Sequence, residues 1–239
     1  MNIYVSTSNK YLSCIKPFMY LFNKFWFEKT QVTFLGYDEP EFKLPKNCRF
    51  ISMGKDEGPQ TWSNGLRKFF TELDEEFFIF TIEDCFILSE INMDAYNALI
   101  KKLDSSVGRI SLSGQLINKS HKKIDKFDDF SIIEASKHIE YRKGTQWSVW
   151  NKNFMLKYLK DDMSPWQFEL SSDDDEYRIL GTDGRVPFYF GDAIKARGKK
   201  INPKNVEYNL NAIVWGTNSK TEISILESED KNKILELRS

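Results

Sequence analysis

The chain has 239 residues, enough for one large domain or two small ones at a prior of ~150 residues per domain. Its 34 basic and 35 acidic side chains leave a net charge of −1, which excludes a strongly basic protein held to nucleic acid by charge alone. Hydrophobic residues at 41% and charged residues at 29% exclude low-complexity disorder, and an aromatic share of 15% supplies both a sizeable core and flat surfaces for sugars or bases.

Cys14, Cys48 and Cys85 lie far apart with no CxxC spacing, so they form neither a disulfide framework nor a zinc site. A reducing compartment, the cytoplasm, is the expectation. The first residues read as a strand and lack the basic n-region of a signal peptide. No apolar run approaches the ~20 residues of a membrane span. The richest stretch, 17–27, is broken by Asn23 and Lys24 and reads as a buried amphipathic helix.

In chain order, residues 3–6 predict a strand, a helix lies within 12–25, and residues 31–35, rich in β-branched and aromatic side chains, predict a second strand. Gly36, Asp38 and Pro40 mark a turn, 49–52 a third strand and 54–59 a polar loop. Leu66, Phe69, Phe70 and Leu73 recur on one face of a 3.6-residue period and predict a helix. Residues 77–82 are a short, nearly unbroken apolar run, the mark of a buried strand in a parallel sheet. Tyr96, Leu99, Ile100 and Leu103 repeat the helical spacing, and 109–113 predict another strand. Strand and helix in alternation predict an α/β fold. Ligands of open α/β sheets bind beyond the carboxyl ends of strands, which directs attention to the residues after Ile82.

The second half is less regular. Residues 121–129 read as a polar loop, 132–134 and 147–150 as strands, and 154–159 as a helix. Residues 186–190, 213–215 and 223–226 read as further strands, and the charged last dozen residues as a short helix or a tail. No internal repeat or linker is visible, so one domain over 1–239 is expected.

Four groups of residues bear chemistry. Glu83 and Asp84 follow the buried strand, where carboxylates need a cation, a basic side chain or backbone amides as partners. A Mg²⁺ ion carrying a diphosphate is one such partner, against solvated acids in a strand-end turn. Ser164 and Pro165 read as the N-cap and first residue of a helix, placing Trp166 and Glu169 three apart on its first turn. An indole packs on a sugar face while a carboxylate takes a proton from a hydroxyl, although a capped helix with a core Trp explains the same spacing. Residues 61–67 open the amphipathic helix, where backbone amides favour phosphate and Arg67 adds charge, with a core Trp62 as the plain alternative. Residues 173–176 read as acids in a first helical turn. The phosphate-loop, GxGxxG, GxSxG and HExxH motifs are missing.

The set and order of these parts, from the first strand through Glu83 and Asp84 to Gln146, Trp147 and the 164–169 segment, resembles a nucleotide-sugar glycosyltransferase of the GT-A fold. The resemblance covers roughly 3–169 and implies an αβα sandwich with a central, mostly parallel mixed sheet. It implies a nucleotide-binding half of about 1–115 and an acceptor-side half of about 116–239. Glu83 and Asp84 match the position of the family's DxD-type motif, with Asp84 as ligand of Mn²⁺ or Mg²⁺, although Cys85 stands where that motif carries its last acid. Metal-independent binding through Arg67, Arg109 or Arg142 is the alternative. Ser6, Trp62 and Arg67 join the donor site, Gln146, Trp147 and Trp166 the acceptor or sugar site, and Glu169 matches the catalytic base of inverting members. The implied partners are a nucleotide-sugar donor and a glycan or other hydroxyl acceptor. Two rivals stay open: a non-catalytic carbohydrate-binding or assembly module, and transfer to a modified nucleic-acid base guided by Lys119, His121, Lys122 and Lys123.

Overall fold

The computed structural model describes residues 1–27, 29–172, 174–192, 213–214, 221–222 and 228–237. The expected strand at 223–226, Trp215 and Asp173 lie outside the described residues.

Strand β1 (Ile3–Ser6) is followed by a 3-10 turn (Asn9–Cys14), helix α1 (Ile15–Phe25) and strands β2 (Val32–Gly36) and β3 (Cys48–Ser52). Helix α2 (Trp62–Glu72), strands β4 (Phe77–Ile82) and β5 (Cys85–Ile87), helix α3 (Met93–Ile100) and strand β6 (Val107–Ser111) complete the first half. The second half contributes β7 (His121–Lys126), β8 (Phe130–Ala135), β9 (Ser148–Asn151), α4 (Lys152–Tyr158), α5 (Pro165–Leu170) and β10 (Arg178–Gly184). Short strands β11 (Phe190–Asp192), β12 (Ile213–Val214) and β13 (Thr221–Glu222) precede helix α6 (Ser228–Leu237).

Nine strands form the main sheet in the order β3-β2-β1-β4-β9-β6-β10-β8-β7. The pairs β2–β3, β1–β2, β1–β4 and β6–β10 are parallel. Strand β9 is antiparallel to both its neighbours, and β8 to both of its own. A second sheet, β13-β12-β11-β5, carries the chain on from β4.

Helices cover both faces, so the central strands are apolar on both sides, as their unbroken runs require. On one face Ile3, Val5, Ile79, Trp147 and Val149 pack against α1 and α3. On the other, Tyr4, Phe78, Phe80 and Trp150 pack against α2, α4 and α5. The α/β sandwich with a mostly parallel mixed sheet is thus the observed architecture.

Four elements depart from the sequence reading: of the strand expected at 186–190 only Phe190 is in one, at the start of β11, because Pro187 has no backbone N–H to give to a ladder. Residues 121–126 form edge strand β7 rather than a loop. Its lysines and histidine hide the pattern, yet charged side chains are what an exposed edge needs to resist further pairing. Strand β10 carries glycines at 181 and 184, and its alternation is correspondingly weak. The acids at 174–176 start no helix.

Trp147 is wholly buried. Its ring stacks on Phe18 at 5.6 Å and on Phe22 at 6.3 Å, and its Nε1–H donates to the Cys85 carbonyl at 2.7 Å. Trp147→Ala should therefore cost ~3–5 kcal/mol, read as a lower urea midpoint.

Candidate functional site

The site is built at the carboxyl ends of β1 and β4. Ser6 stands opposite Ile82 in the β1–β4 register. The Ser6 carbonyl accepts from the Glu83 amide at 3.1 Å, and its hydroxyl accepts from Trp62 Nε1 at 2.9 Å. Ser6 therefore joins Trp62 to the turn of Glu83 and Asp84. Both carboxylates are buried, and the Cys85 thiol lies 3.9 Å from Asp84 Oδ1.

The second carboxylate arrives on α5. Ser164 caps this helix reciprocally: its hydroxyl accepts from the Gln167 amide while the Gln167 side chain accepts from the Ser164 amide. Phe168 then enters the core between Trp62 and Trp150, at 5.8 Å from each ring. That orientation turns Glu169 toward the residues preceding β9. Its Oε1 accepts from both the amide and the hydroxyl of Thr145, each at 2.7 Å. Oε2 has no hydrogen-bond partner among the described residues. Beside it opens a cavity of about 320 Å³, walled by His138, Glu140, Tyr141, Leu170 and Ser171. His138 and Tyr141 hold φ of 63° and 60°, a left-handed conformation that non-glycine residues adopt only when their surroundings impose it.

Both stations are tied to one tripeptide, 145–147. Thr145 holds Glu169, and Trp147 holds the Cys85 carbonyl next to Asp84. Gln146, half-buried, lies between them. Because β9 runs opposite to β4, its start falls at the end of β4.

Behind the site lies a set of buried cations. Arg109 on β6 is fully buried and donates to Ser148 Oγ at 2.9 Å, to the Arg142 carbonyl at 3.1 Å and to Gln115 Oε1. Gln115 fits there because residue 144 is glycine, where a Cβ would fall 2.1 Å from the Gln115 amide. Burial pulls the Arg109 guanidinium down to about 9; the Glu169 charge opposes this and Arg142 adds to it. Arg142 forms a two-pronged pair with buried Asp175, at 2.7 and 2.9 Å. Burial pushes the Asp175 carboxyl up, but hydrogen bonds from Arg142 and Tyr158 outweigh it and hold the group below its usual range.

Several expected site residues are placed elsewhere. Trp147 is enclosed in the core and offers no face to a sugar. Arg67 points outward to Asp161 at 3.3 Å. Arg109 and Arg142 are buried on protein partners, so neither is presented to a diphosphate. Trp166 is 55% exposed, on the surface of α5. Each lysine of the basic patch meets an acid: Lys119 with Glu140, Lys122 with Glu134 and Lys123 with Asp183. His121 Nδ1 lies 2.8 Å from the Lys119 carbonyl. Among the described residues no cluster of three or more His, Cys, Asp or Glu is placed to hold a metal ion, and no helix is long and apolar enough to cross a membrane.

Thr145 escapes sequence reasoning, since its partner is 24 residues away and no local pattern marks it. Arg109 carries a visible signal, a lone cation within an otherwise buried strand.

A depressed folded-state carboxyl contributes stability above its unfolded value and loses it as pH falls through the folded one. Asp175 should therefore make the chain acid-labile below about pH 4. Asp175→Asn should remove that acid-dependent part and cost ~3–5 kcal/mol at neutral pH by taking a carboxylate away from the buried Arg142 guanidinium, measured by urea unfolding across pH.

No protein-family model and no curated protein matches this sequence. Solved structures show a distant likeness of shape. HddC from Yersinia pseudotuberculosis is 11% identical with a TM-score of 0.44, over 80% of this chain and 92% of its own. TarS residues 1–349 from S. aureus is 13% identical with a TM-score of 0.43, over 75% of this chain and 60% of its own. The bifunctional IspDF from Campylobacter jejuni is 13% identical with a TM-score of 0.34, over 67% of this chain and 43% of its own.

Proposed function

We propose that the chain transfers a sugar from a nucleotide-sugar donor to an acceptor hydroxyl with inversion, Glu169 serving as general base. The observation that carries the reading is the shared 145–147 tripeptide, which brings the Asp84 turn and the Glu169 carboxylate to one end of one sheet. The donor diphosphate lies toward Ser6, Trp62 and the Glu83–Asp84 turn. The acceptor enters the cavity beside Glu169, where exposed Leu170 forms part of the wall.

The division of the Glu169 oxygens supports the role. Oε1 is held by Thr145 and fixes the side chain, while Oε2 is left to receive the hydroxyl proton. As that proton leaves, the acceptor oxygen attacks the anomeric carbon from the side opposite the departing diphosphate. A positioned base of this kind contributes ~10²–10⁴-fold.

The residues present fit a divalent cation only as one carried by the diphosphate. Glu83 and Asp84 supply two carboxylates, and the Cys85 carbonyl is already engaged by Trp147. Mn²⁺ or Mg²⁺ held by Asp84, phosphate oxygens and water would offset the leaving-group charge.

Glu169→Gln should lose ~10²–10⁴-fold in transfer while keeping donor affinity, read by product formation and by calorimetric titration. Full turnover in this variant would remove Glu169 as base. Wild-type protein that binds nucleotide sugars yet neither transfers nor slowly hydrolyses them would be a binding module instead. Asp84→Asn should weaken donor binding when Mn²⁺ is present; binding unchanged by chelator in the wild type would show that no metal is needed.

A further inference from the structure

Among the described residues, buried side-chain atoms without a hydrogen-bond partner include Thr81 Oγ1, Trp150 Nε1, Thr182 Oγ1 and Gln146 Oε1. The first three belong to residues wholly enclosed within β4, β9 and β10. Gln146 differs, because it stands just before β9 at the sheet end where the two carboxylate stations converge. Gln146 and Trp147 form the bend that leads into β9, whose first residue, Ser148, pairs with Phe80 near the end of β4.

A buried carbonyl acceptor that has lost its water and gained no donor destabilises the fold. Such an atom is met by a bound water or by a ligand that displaces it. Its position says which partner. In the proposed reaction the diphosphate lies on the Asp84 side and the acceptor hydroxyl on the Glu169 side, and the group between them is the transferred sugar. We infer that Gln146 Oε1 accepts a hydrogen bond from a hydroxyl or amide N–H of that sugar and so selects among donors. This rests on the glycosyl-transfer reading and adds a specificity determinant to it. A site built to pair with such a group discriminates strongly against analogues that lack it, because the protein atom is again left unmet.

The test uses Gln146→Met, which keeps length and removes the acceptor, beside Thr182→Val, which removes an unpartnered hydroxyl inside β10. Without ligand both should melt about 2–4 °C above wild type, since each loses an unmet buried group. UDP-glucose, UDP-N-acetylglucosamine and GDP-mannose are then titrated. Against whichever binds the wild type, Gln146→Met should lose about tenfold or more in affinity and Thr182→Val none. Deoxyfluoro analogues of that donor, which accept but cannot donate at one position, complete a cycle. One of them should bind the wild type about tenfold more weakly than the parent and bind Gln146→Met no more weakly than the parent does.

A lower melting temperature for Gln146→Met would show that the amide has a structural partner, and unchanged donor affinity would show that it reads nothing; either overturns the inference. Failure of all three nucleotide sugars to bind the wild type overturns the reading beneath it. Full turnover in Glu169→Gln overturns the base alone and leaves the Gln146 result standing.

Discussion

The reversed strand β9 is the constraint on which the site depends. Its neighbours β4 and β6, and β1 and β10 beyond them, all run the same way, so their carboxyl ends line one edge of the sheet. A parallel strand in its place would deliver only another carboxyl-terminal loop there. By running backwards, β9 delivers its entry instead, and residues 145–147 reach that edge held by the ladder on one side and by Trp147 in the core on the other. The anchor is apolar and deep, with the indole stacked on Phe18 and Phe22. The two residues before it are therefore positioned by packing rather than by loop chance, which is what a site needs to hold a carboxylate to within a fraction of an ångström.

The same strand explains the buried cations. Ser148 accepts from Arg109 and donates onward to the Gln146 carbonyl. The guanidinium thus braces the tripeptide from behind while its charge lies within reach of Glu169. A fully buried arginine with no carboxylate at ion-pair distance among the described residues is expensive. Here hydrogen bonds donated to three partners, and the Trp150 ring 5.4 Å from the guanidinium carbon, offset part of that cost.

How much of this was legible depended on whether the signal was local. Helix α2 and strand β4 announce themselves through spacing and apolar continuity, and the Ser164 cap is readable from three residues. Glu83 and Asp84 stand out in the sequence because they follow an apolar strand. Trp147 was misread because the indole of a sugar platform and the indole of a core look alike in one dimension; only the stack on α1 separates them. Strand β7 was misread because edge strands are selected to look polar. Arg142 and Asp175 lie 33 residues apart, and nothing short of the fold pairs them. Thr145 is hidden for the same reason.

The contrast between Thr145 and Gln146 closes the argument about what this edge is for. They are adjacent, share the same anchor and sit beside the same sheet end, yet Thr145 is engaged by Glu169 while the Gln146 side-chain oxygen Oε1 meets no donor among the described residues. Packing does not require the difference, since an apolar side chain at 146 would fill the space without stranding an acceptor. On the glycosyl-transfer reading a polar ligand supplies that donor, between the Glu83–Asp84 turn and a carboxylate whose Oε2 has no hydrogen-bond partner among the described residues.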